Sequence, residues 1–160
     1  MSYTNADGLR VLTNADQGAV KTQGVSATGM SQVLVVDFTA TAIGSSFGSS
    51  NIDLNNPYIP AGSLIKRADL VITTAFDSAG EAATLTIGTY NAAGTAIDAD
   101  GIDATVAEAA VGTNGLTVRC DGAHLTTTGY ISENAYIGAI YGTEAFTSGV
   151  GKLYIEYVKL

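Results

Sequence analysis

The chain has 160 residues, 46% of them apolar and only 14% charged, with 15 acidic side chains against 7 basic ones. A net charge of −8 excludes a phosphate-neutralising nucleic-acid surface, and no apolar run approaches the ~18 residues of a membrane-spanning helix. A single Cys excludes an internal disulfide and a single His excludes a His-rich zinc shell, so folding in a reducing cytosol fits.

Residues 1–30 stand apart in composition. They are rich in Asn, Gly, Thr and Ala and hold two near-copies, Thr4-Asn5-Ala6-Asp7-Gly8 and Thr13-Asn14-Ala15-Asp16-Gln17-Gly18. Their one apolar stretch is Leu9-Arg10-Val11-Leu12. Two readings fit: a loosely held terminus, or an arm in which Leu9, Val11 and Leu12 anchor an extended segment on a partner's sheet edge.

From Gln32 the pattern becomes regular. Leu34, Val36, Phe38 and Ala40 alternate with Val35, Asp37, Thr39 and Thr41, which predicts a half-buried strand. Residues 44–56 read as a Gly/Ser/Asn loop around Phe47, with Ile52-Asp53-Leu54 a short strand candidate. Between Pro57 and Tyr90 two β-branched runs flank Asp77-Ser-Ala-Gly-Glu81, which predicts a hairpin. Its first strand places Leu64, Ala68, Leu70, Ile72 and Phe76 on one face and sends Lys66 and Arg67 opposite ways. The second turns Ala83, Leu85 and Ile87 inward and Thr84, Thr86 and Tyr90 outward. Residues 91–102 read as a turn-rich connection, and Asp103 as the N-cap of one helix over 104–111 that stops at Gly112. Strands follow at 116–120, 134–142 and 150–160, the first bracketed by the turn dipeptides Asn114-Gly115 and Asp121-Gly122. The fold class is therefore all-β: an antiparallel β-sandwich or jelly roll over 31–160, with one short helix and an extended N-terminal arm over 1–30.

No group of residues sets up catalysis, and neither a cofactor nor a metal is expected. The Asp98, Asp100 and Asp103 cluster fails the calcium-loop pattern, because Asp103 stands where that loop requires Gly and Ala109 where it requires Glu. Cys120 and His124 lack the third ligand that zinc needs and the orienting group that a nucleophilic pair needs, and read as a buried thiol and a loop histidine. Gly151-Lys152 is followed by Leu153 where a phosphate loop carries Ser or Thr. The tyrosines are more informative, since Tyr combines a large apolar area with a polar tip and is enriched at interfaces. Tyr136, Tyr141, Tyr154 and Tyr157 are the partner-binding candidates. Tyr154 and Tyr157 lie on opposite strand faces, of which one is core.

Three stretches carry a resemblance. The opening Tyr3-Thr4-Asn5-Ala6-Asp7-Gly8-Leu9-Arg10-Val11 is similar to that of small virion proteins of tailed bacteriophages. So are Ile59-Pro60-Ala61-Gly62-Ser63-Leu64-Ile65 with Val71-Ile72-Thr73-Thr74-Ala75-Phe76, and the ending Tyr141 to Val150 with Leu153-Tyr154-Ile155-Glu156-Tyr157. The chain resembles jelly-roll capsid decoration (cement) proteins. In place of that group's aromatic–Gly pair after the Arg-Val region it has Leu12-Thr13. The resemblance implies a non-enzymatic homotrimer on the capsid surface of the virion, with the major capsid protein as its partner. The alternative within the same context is a tail-fibre or receptor-binding β-sandwich head that recognises host-surface glycans. The lack of a heptad or repetitive shaft favours decoration.

Overall fold

Alternating apolar residues form the long strands of the computed structural model, which describes residues 2–4, 10–12, 31–46 and 57–160. The first two of these segments are strands β1 (Ser2–Thr4) and β2 (Arg10–Leu12), paired antiparallel with Tyr3 opposite Val11. The expected strand at Ile52–Leu54 lies outside the described residues, as do Leu9 and most of 1–30.

The remaining strands are β3 (Ser31–Thr39), β4 (Ser63–Ser78), β5 (Thr84–Tyr90), β6 (Ala96–Ala107), β7 (Thr117–Arg119), β8 (Tyr130–Ile131), β9 (Tyr136–Gly142) and β10 (Phe146–Lys159). They form two antiparallel sheets. The larger has the order β3-β10-β4-β7 with β8 also on β4, and the smaller the order β6-β5-β9. Leu70, Ile72, Leu153 and Ile155 of the larger sheet and Leu85, Ile87 and Ile102 of the smaller are fully buried in one core. Each such side chain contributes about 1.5–3 kcal/mol of hydrophobic stabilisation. The all-β sandwich expected from the sequence is the architecture observed.

Five local expectations are corrected. The runs on either side of residues 79–83 are β4 and β5, but they belong to different sheets, so their connection is an arch between layers and not a hairpin. The register of β10 on β4 slips between Glu156–Arg67 and Tyr157–Ile65, so Lys66 is an extra residue and both Lys66 and Arg67 are exposed. That slip turns Ile65 into the core and Leu64 out to solvent. Residues 96–107 are strand β6, which leaves only one turn of helix, α1 (Glu108–Val111), and Asp103 is a buried strand residue instead of a cap. A second one-turn helix, α2 (Ala123–Thr126), carries the buried His124, which is therefore not a loop histidine. Tyr90, expected to face outward, is fully buried and donates its hydroxyl to the Ala99 carbonyl at 3.1 Å.

The arch at 79–83 lies beside a second crossing, where β9 of the small sheet passes through 143–145 into β10 of the large one. Two carboxylates tie them. Glu108 accepts from the Ser78 N–H at 2.8 Å, the Ser78 hydroxyl at 2.6 Å and the Ala83 N–H at 3.1 Å. Glu144 accepts from the Ala82 N–H at 2.9 Å and the Gly80 N–H at 3.0 Å, and its Oε1 also lies 2.7 Å from the Ser78 hydroxyl. A serine hydroxyl has one proton, so the two carboxylates compete for it.

These bonds, the Ser78 hydroxyl first, hold the Glu144 carboxyl below its ordinary value of 4.5. A carboxyl whose folded pKa is depressed contributes stability above its unfolded pKa and loses it as pH falls through the folded one. Glu144→Gln is therefore expected to melt below the wild type at pH 7, with the gap narrowing as pH falls below 4.5. A gap that stayed constant down to pH 2 would contradict this assignment.

Candidate interaction surface

Neither side of the Cys120–His124 pair serves the other. Cys120 is buried and bonded to Asp103, and burial together with that carboxylate pushes its thiol up to about 12, so it is not a nucleophile at neutral pH. His124 Nδ1 lies 3.0 Å from the Thr128 carbonyl, which only accepts, so Nδ1 carries the proton. Its Nε2 lies 2.9 Å from the Thr89 hydroxyl, and in the neutral ring it accepts from that group. The imidazole thus joins α2 to β5.

Of the three aspartates, Asp98 and Asp100 are hydrogen-bonded to each other, whereas Asp103 is held by other partners. Burial, and next the Asp100 carboxyl, raise the pKa of Asp98; burial, and next Asp121, raise that of Asp103. Asp103 accepts from the backbone of Thr105 and Asp121 and from the Cys120 thiol. Among the described residues no group of three His, Cys, Asp or Glu side chains is placed to hold a metal ion.

The outer face of the large sheet is where polar and apolar groups gather in the open. Its strands align in rows: Asp37–Lys152–Val71–Thr117, Val35–Tyr154–Asp69–Arg119, and Val33–Glu156–Arg67. Val33 is 60% exposed, Val35 40% and Tyr154 38%. Ion pairs flank this stripe: Lys152–Asp37 at 2.5 Å, Lys66–Glu156 at 3.4 Å, and Asp69 shared between Arg67 and, at 3.8 Å, Arg119. Such exposed pairs contribute at most about 1 kcal/mol each, so their members can exchange partners at little cost. Between Val33, Arg67, Asp69, Tyr154 and Glu156 lies a shallow depression of about 270 Å³.

The structure scatters the sequence candidates. Tyr154 alone of them stands on this open face. Tyr157 belongs to the core and donates its hydroxyl to Gln32 Oε1 at 2.9 Å. Tyr136 is half-buried against the Tyr58 ring, with centroids 5.4 Å apart, and Tyr141 is partly buried against the core. Val11 and Leu12 lie on β2, and Leu9 lies outside the described residues. Sequence reasoning passed over Val33, Val35, Arg67 and Arg119. The available signal was the Val33-Leu-Val-Val36 run, which puts apolar side chains on both faces of a strand expected to be half polar. Tyr130, 58% exposed at the rim of the same sheet, was also passed over.

The two-sheet sandwich is shared with chains from three phage capsids. Over 90% of this chain and 94% of the other, it matches a structure described as the capsid of Ralstonia phage GP4, with 18% identity and a TM-score of 0.54. A chain of the acid-stable capsid structure of Helicobacter pylori bacteriophage KHP30 matches at 12% identity and a TM-score of 0.53, over 82% of this chain and 89% of that one. A chain of the cyanophage Pam1 capsid asymmetric unit matches at 17% and 0.52, over 91% and 96%. No family model and no curated protein matches the chain. At these identities the likeness establishes a fold found in phage capsids.

Proposed function

We propose that this chain is a non-enzymatic structural protein of a phage virion, a trimeric decoration or cement protein that binds the outside of the capsid and stabilises it. The observation that carries the reading is the whole-chain likeness: the match spans 89–96% of each capsid chain and 82–91% of this one. The same unit, with little added to it, stands in three capsid structures. The low charge and abundant Thr, Gly and Tyr of this chain suit broad contact at small desolvation cost. The partners in this reading are the major capsid protein and two further copies of the chain.

Within it, residues 1–30 serve attachment more than folding. The β1–β2 pair forms a sheet of its own, separate from the two layers of the sandwich. Three arms on one trimer add their contacts, and effective concentrations around mM let weak anchors hold together. Deleting 1–31 is expected to leave a folded, largely trimeric β-domain whose binding to heads lacking the protein falls at least tenfold. Co-sedimentation of truncated and full chains with such heads tests this. Equal binding by both would sink the arm's role, and unfolding on truncation would assign the arm to the sandwich.

A further inference from the structure

The two sheets of the sandwich end in four edges, and among the described residues three of them are blunted. On the large sheet, β7 and β8 are only three and two residues long. On the small sheet, β6 slips register against β5 at three points, and the Gly122 N–H bonds its Ile102 carbonyl at 2.9 Å. The outer side of β9 is bridged by Gly44, whose carbonyl accepts from the Tyr141 N–H at 2.9 Å. Short strands, bulges and covering loops are how proteins keep edges from pairing with other chains. The fourth edge, β3, has none of these. Its nine residues run in unbroken register on β10, with no Pro, Gly or Lys and a single charge, Asp37. Among the described residues no strand pairs with its outer side.

The hydrogen bonds further in fix which groups that edge presents. Ala68 accepts from the Cys120 N–H at 3.1 Å and Ile72 donates to the Leu116 carbonyl at 2.8 Å. The inward-facing residues of β4 therefore turn their peptide groups toward β7. Asp69 and Val71 alternate with them and turn theirs to Tyr154 and Lys152 of β10. By the same alternation Leu153 and Ile155 bond to Val36 and Leu34 of β3. What is left over points away from the sheet: the N–H and C=O groups of Val33, Val35 and Asp37. The side chains of these three residues also stand exposed on the open face.

We infer that the β3 edge takes an added strand from a protein of the capsid shell, an extended segment with apolar or β-branched side chains opposite Val33 and Val35. A row of outward peptide groups recognises a polypeptide backbone, and the side chains beside it set which one. Nine residues of β3 match a strand about 30 Å long. On the open face its side chains extend the row Val35–Tyr154–Asp69 by one position. Copies of this chain fit the edge poorly. Two β3 edges can pair only across a twofold axis, which a ring of three lacks. The other edges of the sandwich are blunted, and β1 and β2 are three residues each. The inference rests on the capsid-binding reading above and adds a second point of attachment to the N-terminal arm.

The test is co-sedimentation of the full chain with heads lacking it, as wild type, Val35→Pro and Val35→Thr. Proline removes the outward N–H and is accepted on an edge, where no bond to β10 is lost. Threonine keeps both the N–H and the branched shape. Val35→Pro is expected to stay folded and to bind at least tenfold more weakly, and Val35→Thr to bind within about threefold of the wild type. A wild type that does not bind heads overturns the decoration reading and this inference with it. Full binding by a folded Val35→Pro, or an equal loss in Val35→Thr, overturns the edge alone. Should the proline variant not fold, amide hydrogen exchange of the wild type decides. In the free protein the amides of Val33, Val35 and Asp37 should exchange fast and those of Leu34 and Val36 slowly; on heads the fast three should slow at least tenfold. Amides that stay fast on heads contradict the inference. So do amides already slow in the free protein, which would mean that another copy or another part of the chain covers the edge.

Discussion

Glu108→Ala is expected to lower the free energy of unfolding by about 3–5 kcal/mol, because it leaves buried N–H groups without acceptors, at about 1–3 kcal/mol each. The Glu108 side chain is almost fully buried, and its two oxygens hold the N–H groups of Ser78 and Ala83 on either side of the β4–β5 arch. Alanine leaves both donors facing the protein interior. The Ser78 hydroxyl keeps Glu144 as an acceptor, so that part of the network survives. Glu108→Gln should cost less than half as much as Ala. Its carbonyl oxygen still accepts one of the two N–H groups, and its amide can donate to the hydroxyl. Urea unfolding of the three proteins checks this. A loss under 1 kcal/mol for Ala would mean that water or a shifted arch satisfies the freed donors.

Phe76→Ala is expected to cost a similar 3–5 kcal/mol through the cavity left in the core. The ring is 1% exposed and meets Phe146 edge-on, with centroids 5.3 Å apart and planes at 71°. It also lies directly over Gly149, whose φ of 137° is one that L side chains rarely adopt and whose absent Cβ makes room for the ring. Gly149→Ala should therefore destabilise the protein even though it deletes nothing. In the double variant the alanine at 76 removes the ring contacts, though not the 2.8 Å approach to the Cα of residue 76 or the φ strain, so the two losses should combine to less than the sum of their separate values. A midpoint shift without a change in the denaturant slope would identify a native-state packing loss. Strictly additive losses would mean that the ring and the glycine do not constrain one another.

The strands were legible because each long one alternates. Leu34, Val36 and Phe38 are inward as expected, and so are Leu70, Ile72, Leu85 and Ile87. What alternation cannot report is pairing. The small polar turn Asp77-Ser-Ala-Gly-Glu81 reads as a hairpin, yet Glu108 and Glu144, far away in the chain, capture its N–H groups and hold the two strands in separate sheets. The Ala104–Val111 stretch has good helix formers, but its first half pairs with β5, Leu85 opposite Val106 and Thr84 opposite Ala107, and this pairing overrides local propensity. Lys66 and Arg67 escaped notice as neighbours on one face because a bulge reset the period between them. The interaction surface was half visible: Tyr154 was singled out, whereas Val33, Val35 and the arginines become a surface only when three strands align.

The most direct test of the account is cryo-electron microscopy of the phage particle that carries this chain, with the chain's fold fitted into the density. The account expects three copies around each threefold position on the outside of the head, with the sandwich outermost and the N-terminal segment reaching toward the major capsid protein. Density for the chain at the tail tip, or none on the head, would contradict it.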